Sequence, residues 1–86
     1  MSRYKIEIAP RARKQVDGLP EKIKSKIIKV IIDVLANNPY IGKPLKAEFK
    51  GRYSYRVADY RIIYSILKRE LIIHIIKVMH RREAYR

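Results

Sequence analysis

Cysteine is absent from the 86 residues. That removes a disulfide framework, a thiolate zinc site and a thiol nucleophile together. Histidine occurs only twice, and two imidazoles alone do not build an all-protein zinc site. Metal-independent chemistry without a cofactor is therefore expected. No apolar run reaches the length of a membrane-spanning helix. Residues 1–15 carry charge throughout and lack the apolar core of a signal segment. The expectation is a soluble, cytoplasmic chain with no membrane partner. Acidic residues are also scarce, eight against 21 Lys and Arg, which leaves a net charge of +13.

What is present is a densely apolar small domain. Apolar types make up 48% of the chain, too many for a disordered basic tail. Fifteen residues are Ile, which suits a domain that has no covalent staple and a small core. With the abundant Lys and Arg, that count also suits a heat-adapted source. The length allows one domain, residues 1–86. Its charge is spread evenly, net +6 over residues 1–43 and +7 over residues 44–86. A basic globule of this kind favours RNA, DNA, the ribosome or an acidic protein partner.

Along the chain, Arg3 to Ile8 alternates polar and apolar and predicts a short strand. Pro10 opens a helix whose stripe is Ala12, Val16 and Leu19, and Gly18 with Pro20 closes it. A second helix follows, with Ile23, Ile27, Val30, Ile31, Val34 and Leu35 at helical spacing, up to Asn37-Asn38-Pro39. Leu45 to Phe49 is a candidate edge strand, and Lys50-Gly51 a turn. Strands are then predicted over 52–57, 60–67 and 71–79. The expected class is α+β: an N-terminal strand, a two-helix hairpin, then a three- to four-stranded antiparallel sheet with the helices on one face.

Pairing these strands on paper places the charges. A two-residue loop at Ala58-Asp59 sets Arg56 opposite Arg61, with Tyr53, Tyr55, Ile62 and Tyr64 on the helix-facing side. A three-residue loop at Lys68 to Glu70 sets Arg61 opposite Lys77, giving a row Arg56–Arg61–Lys77 on the open face, beside Ile63, Leu67, Ile73 and Ile75. Arg81 has the same parity. His74 falls on the helix-facing side opposite Tyr64 and reads as structural. Like charges directly opposite one another destabilise a sheet. An anionic ligand offsets that repulsion, and the planar fork of Arg suits phosphate. The alternative is a solvated face whose long side chains splay apart.

Residues 51–64, Gly-Arg-Tyr-Ser-Tyr-Arg-Val-Ala-Asp-Tyr-Arg-Ile-Ile-Tyr, resemble the core signature of RelE-type toxins. The ending Val78-Met79-His80-Arg81-Arg82-Glu83-Ala84-Tyr85-Arg86 is similar to the basic-plus-tyrosine terminus of that family, and Asn38-Pro39 with Gly42-Lys43-Pro44-Leu45 to its loop after the second helix. The resemblance implies the toxin of a type II toxin–antitoxin pair, which enters the ribosomal A site and cuts messenger RNA there. It implies attack by the 2′-hydroxyl, leaving a 2′,3′-cyclic phosphate. It implies an acidic, RelB-like antitoxin as partner, in a possible heterotetramer. Carried over, Arg56 and Arg61 clamp the scissile phosphate, Arg81 stabilises the transition state and the leaving oxygen, and Tyr85 stacks on a base or accepts a proton. His80 is a further acid–base candidate. Ser54, Lys77 and Arg82 are assigned to RNA contact. Position 54 departs from the pattern, being Ser where the best-known ribosome-dependent members have Lys. Two other readings stand beside this one: a ParE-like toxin that poisons gyrase, and a non-catalytic basic module that binds RNA or the ribosome.

Overall fold

The computed structural model describes residues 3–46 and 50–84. The strands are Lys5–Ile8 (β1), Lys43–Pro44 (β2), Arg52–Val57 (β3), Tyr60–Leu67 (β4) and Ile72–His80 (β5). They form one sheet in the order β1-β5-β4-β3-β2. Helices α1 (Pro10–Asp17) and α2 (Glu21–Val30) cover one face, and a short α3 (Arg81–Ala84) follows β5. The expected α+β class holds, with two additions. β1 joins the sheet parallel to β5, and the terminal basic segment is helical.

Local chemistry explains the helical layer. Pro10 occupies the first turn of α1, where a missing N–H costs nothing. Ala12 and Val16 are its buried positions, and the Gly18 amide closes it on the Lys14 carbonyl. Glu21 sits in the first turn of α2, where the helix dipole favours an acid. After Val30 the helix widens into a π-type turn over Ile31–Leu35, with the Ala36 amide bonded to the Ile31 carbonyl at 3.0 Å. Ile31 and Leu35 are both buried there. They meet Ile27, Val57, Ile62, Tyr64, Ile73, Ile75 and Val78 in the core. Each fully buried Ile contributes about 1.5–3 kcal/mol.

The far edge is held by aromatics. The rings of Tyr53 and Tyr64 stack at 5.7 Å, and Tyr40 meets Tyr53 edge-on at 6.1 Å. The Tyr64 hydroxyl donates to the Pro39 carbonyl at 2.6 Å. The loop after α2 is thereby tied to the middle of the sheet. The edge strand expected at 45–49 lies earlier, at Lys43–Pro44, because Pro44 pairs with Tyr53 and the Leu45 amide closes on the Arg52 carbonyl. Residues 47–49 are outside the described residues.

The β3–β4 register is the expected one, Arg56 with Arg61 and Tyr53 with Tyr64. The β4–β5 register is not. Leu67 pairs with Ile72, so the turn holds four residues, Lys68 to Leu71, and Leu71 takes φ 56°. A β-bulge then shifts the pairing again, from Tyr64 with Ile75 to Ile63 with Lys77. Each single-residue shift exchanges the faces of the strand. Between turn and bulge the parity is reversed: Ile73 and Ile75 enter the core at 0% exposure, and His74 moves to the open face opposite Ser65. Both assignments correct the sequence-based placement. Beyond the bulge the faces are restored, but every residue sits two residues away from its expected partner.

Candidate nucleic-acid interface

The turn between β3 and β4 organises the cationic corner. Ala58 adopts φ 54°, which lets two residues reverse the chain. Arg56 and Arg61 therefore spring from directly opposed positions on the helix-free face, their Cβ atoms about 4.5–5.5 Å apart. The Arg56 Nε–H donates to the Ala58 carbonyl at 3.1 Å, which folds that side chain back over the turn. Arg61 is half-buried.

Arg81 comes to the same turn from the other end of the chain. β5 runs as far as His80, opposite Tyr60, and α3 begins at once. The Arg81 amide donates to the Asp59 carbonyl at 2.7 Å, and its guanidinium lies 3.9 Å from the Asp59 carboxylate. Both side chains of this ion pair are more than half exposed, 57% and 60%. Such a pair is worth roughly 0–1 kcal/mol, so a phosphate can displace Asp59 cheaply. One two-residue turn thus holds the head groups of Arg56 and Arg81, and Arg61 rises from the strand leaving it.

The remaining site candidates divide. Lys77 is on the same face but opposite Ile63, one rung from Arg61, whose partner on β5 is Met79. The continuous row Arg56–Arg61–Lys77 is therefore broken, for the reason of register given above. Ser54 faces the same side opposite Ile63 and is only 5% exposed. Its Oγ has no hydrogen-bond partner among the described residues. His80 does not join the arginines. It lies on the helix-facing side, edge-on to Tyr60 at 5.1 Å, and its Nδ1 accepts the Arg82 amide at 3.2 Å. That bond makes His80 a support for the start of α3. Arg82 is exposed on α3. Tyr85 lies outside the described residues.

Three participants escaped the sequence. Arg52 and Lys43 reach the open face, opposite Ser65 and Ser54. Asp59 anchors Arg81. The parity of β3 was signal enough for Arg52; nothing local foretold the other two. Among the described residues, Tyr64 is the phenol whose titration moves most, pushed up to about 12 by burial against a weaker opposing pull from the Gly42 amide. It is on the helix side and stays protonated, so it is no base for chemistry on the open face. Among the described residues no three His, Cys, Asp or Glu side chains gather as metal ligands.

Chemically, guanidiniums gathered at one turn can take up the extra negative charge of a five-coordinate phosphorane. Arg offers two parallel N–H bonds to a pair of phosphate oxygens.

The chain matches the family described as ParE toxin of type II toxin–antitoxin system, parDE, over residues 6–85. It is 34% identical over 84 residues to Toxin RelE of Mycobacterium tuberculosis, covering 96% of this chain and 87% of that protein. The RelBE2 toxin–antitoxin complex of M. tuberculosis contains a chain of the same fold, with a TM-score of 0.87, 30% identity and 93% of both chains covered. The archaeal RelE–RelB complex from Pyrococcus horikoshii matches with a TM-score of 0.73 and 27% identity over 91% of this chain and 94% of that one.

Proposed function

The chain belongs to the RelE/ParE superfamily of type II toxin–antitoxin toxins, and on that premise we propose that it is an endoribonuclease that cuts messenger RNA in the ribosomal A site. The observation that carries this reading is that Arg56 and Arg61 stand directly opposite one another beside the Ala58–Asp59 turn, on which the Arg56 and Arg81 side chains both rest. The 2′-hydroxyl of the substrate attacks the adjacent phosphorus, the bond to the 5′-oxygen of the next nucleotide breaks, and a 2′,3′-cyclic phosphate remains. Arg56 and Arg61 hold the non-bridging oxygens. Arg81 exchanges Asp59 for the phosphorane and the departing oxygen. Tyr85 handles a proton or stacks on a base. Ser54 cannot act as a base unaided, so the ribosome supplies alignment. No metal or cofactor enters the scheme, and the place of action is the cytoplasm.

The partner in this reading is an acidic antitoxin, similar to RelB, with which a heterotetramer is one possible form. A field of +13 over a small chain favours such a partner.

Purified protein added to a translation extract with a reporter message tests the proposal. Cleaved message ending in a cyclic phosphate is expected, with no loss of gyrase supercoiling in a parallel assay. Because the matching family is described by ParE, the second reading is gyrase poisoning, which the reverse pattern would support. RNA binding without scission would leave only the non-catalytic module.

A further inference from the structure

The corrected β4–β5 register assembles a second polar row that the mechanism above does not use. Glu7 on β1 pairs with His74 on β5, His74 with Ser65 on β4, and Ser65 with Arg52 on β3. The row crosses four strands on the open face. It lies four residues along β3 from the Arg56–Arg61 pair, about 14 Å at the rise of a strand. Glu7 is exposed, and His74 and Ser65 are half-buried.

Its composition differs in kind from the arginine corner. Among the described residues, Glu7 is the one acid carried by the strands on this face, beside Lys5, Lys43, Arg52, Arg56, Arg61 and Lys77. A carboxylate repels phosphate, so a row serving only the RNA backbone would not include one. An ionised carboxylate accepts hydrogen bonds and donates none. The natural partner on a nucleic acid is an exocyclic amine of a base. Imidazole beside it offers a ring to stack on and one donor or acceptor, and single-stranded RNA is read by this combination of stacking and edge contacts. Arg52 at the other end suits the phosphate of the same nucleotide.

We propose that Glu7 and His74 form a base-reading subsite that selects an amine-bearing base at one fixed position beside the cleavage point. The subsite rests on the endoribonuclease reading above. Adenine, cytosine and guanine present the amine; uracil does not.

The test uses the full chain in a translation extract, with reporter messages varied one nucleotide at a time around a mapped cleavage point. The wild type is expected to disfavour uracil at a single position by about tenfold, the scale of one good base contact. Glu7→Gln and His74→Ala should each flatten that preference, while cleavage by the arginine corner persists. Two variants on different strands guard against misfolding of either. Preference profiles of both variants that superimpose on the wild type overturn the subsite and leave the nuclease standing. A wild type that cuts no message overturns both.

Discussion

At the scale of single residues, three positions carry measurable consequences. Among the described residues, the buried Ser54 hydroxyl has no hydrogen-bond partner. An unmet buried polar group costs about 1–3 kcal/mol. Ser54→Ala is therefore expected to raise stability by about 1 kcal/mol in a denaturant titration, and an unchanged or lower midpoint would show that the hydroxyl is satisfied after all. Tyr64 titrates near 10.0 when unfolded and at about 12 in the fold. The folded state thus favours the protonated phenol. The stability this contributes is complete below the unfolded value and is lost as pH rises through the folded one. Alkaline unfolding followed by circular dichroism should steepen across that interval, and Tyr64→Phe should remove the steepening. Gly42 has ordinary extended backbone, φ −71°, and is glycine for want of room. A Cβ there would collide with the Tyr64 hydroxyl and sit 3.2 Å from the Ser54 carbonyl. Gly42→Ala should lower the melting midpoint markedly, as overpacking costs about 1–3 kcal/mol.

At the scale of elements, the β3–β4 hairpin was legible because β3 alternates cleanly and the short turn fixes β4 against it. Tyr53, Tyr55 and Val57 face Tyr64, Ile62 and Tyr60, and one loop length satisfies both patterns. β5 offers no such check. Ile72-Ile73-His74-Ile75-Ile76 is apolar at four of five positions, so alternation carries no parity, and neither the four-residue turn nor the bulge has a compositional mark. That one gap misplaced His74, Ile73, Ile75 and the partner of Arg61 together. The parallel pairing of β1 with β5 was likewise illegible, since alternation says which face a side chain takes and not which neighbour its strand meets. α1 and α2 were readable because Pro10, Gly18, Pro20 and Asn38-Pro39 mark their ends. The π-type turn was not, because Ile31 and Leu35 also fit ordinary helical spacing. The hairpin turn itself makes a prediction. Ala58 at φ 54° holds a conformation that glycine adopts freely. Ala58→Gly should stabilise by up to about 1 kcal/mol, read from the same denaturant titration, without moving Arg56 or Arg61 from register.

At the scale of the whole molecule, two surfaces divide the work. The helix-covered face holds the core, and the open face carries Lys5, Lys43, Arg52, Arg56, Arg61 and Lys77. A net charge of +13 favours binding to any polyanion. Binding of single-stranded RNA should weaken steeply with salt, and Arg56→Ala should reduce the slope of log affinity against log salt by about 0.7, one lost contact to a single strand. A variant slope equal to the wild type would mean that Arg56 touches no phosphate. The central claim is that Arg56, Arg61 and Arg81 act together on one phosphate. Its most direct test is the single-turnover cleavage rate on ribosomes programmed with message, for each Arg→Ala variant and for the triple variant. Each single loss should slow cleavage by about 10²–10³-fold, with the triple far less than the product of the three, as for groups acting as a unit. Folded single variants that cut at the wild-type rate would contradict it.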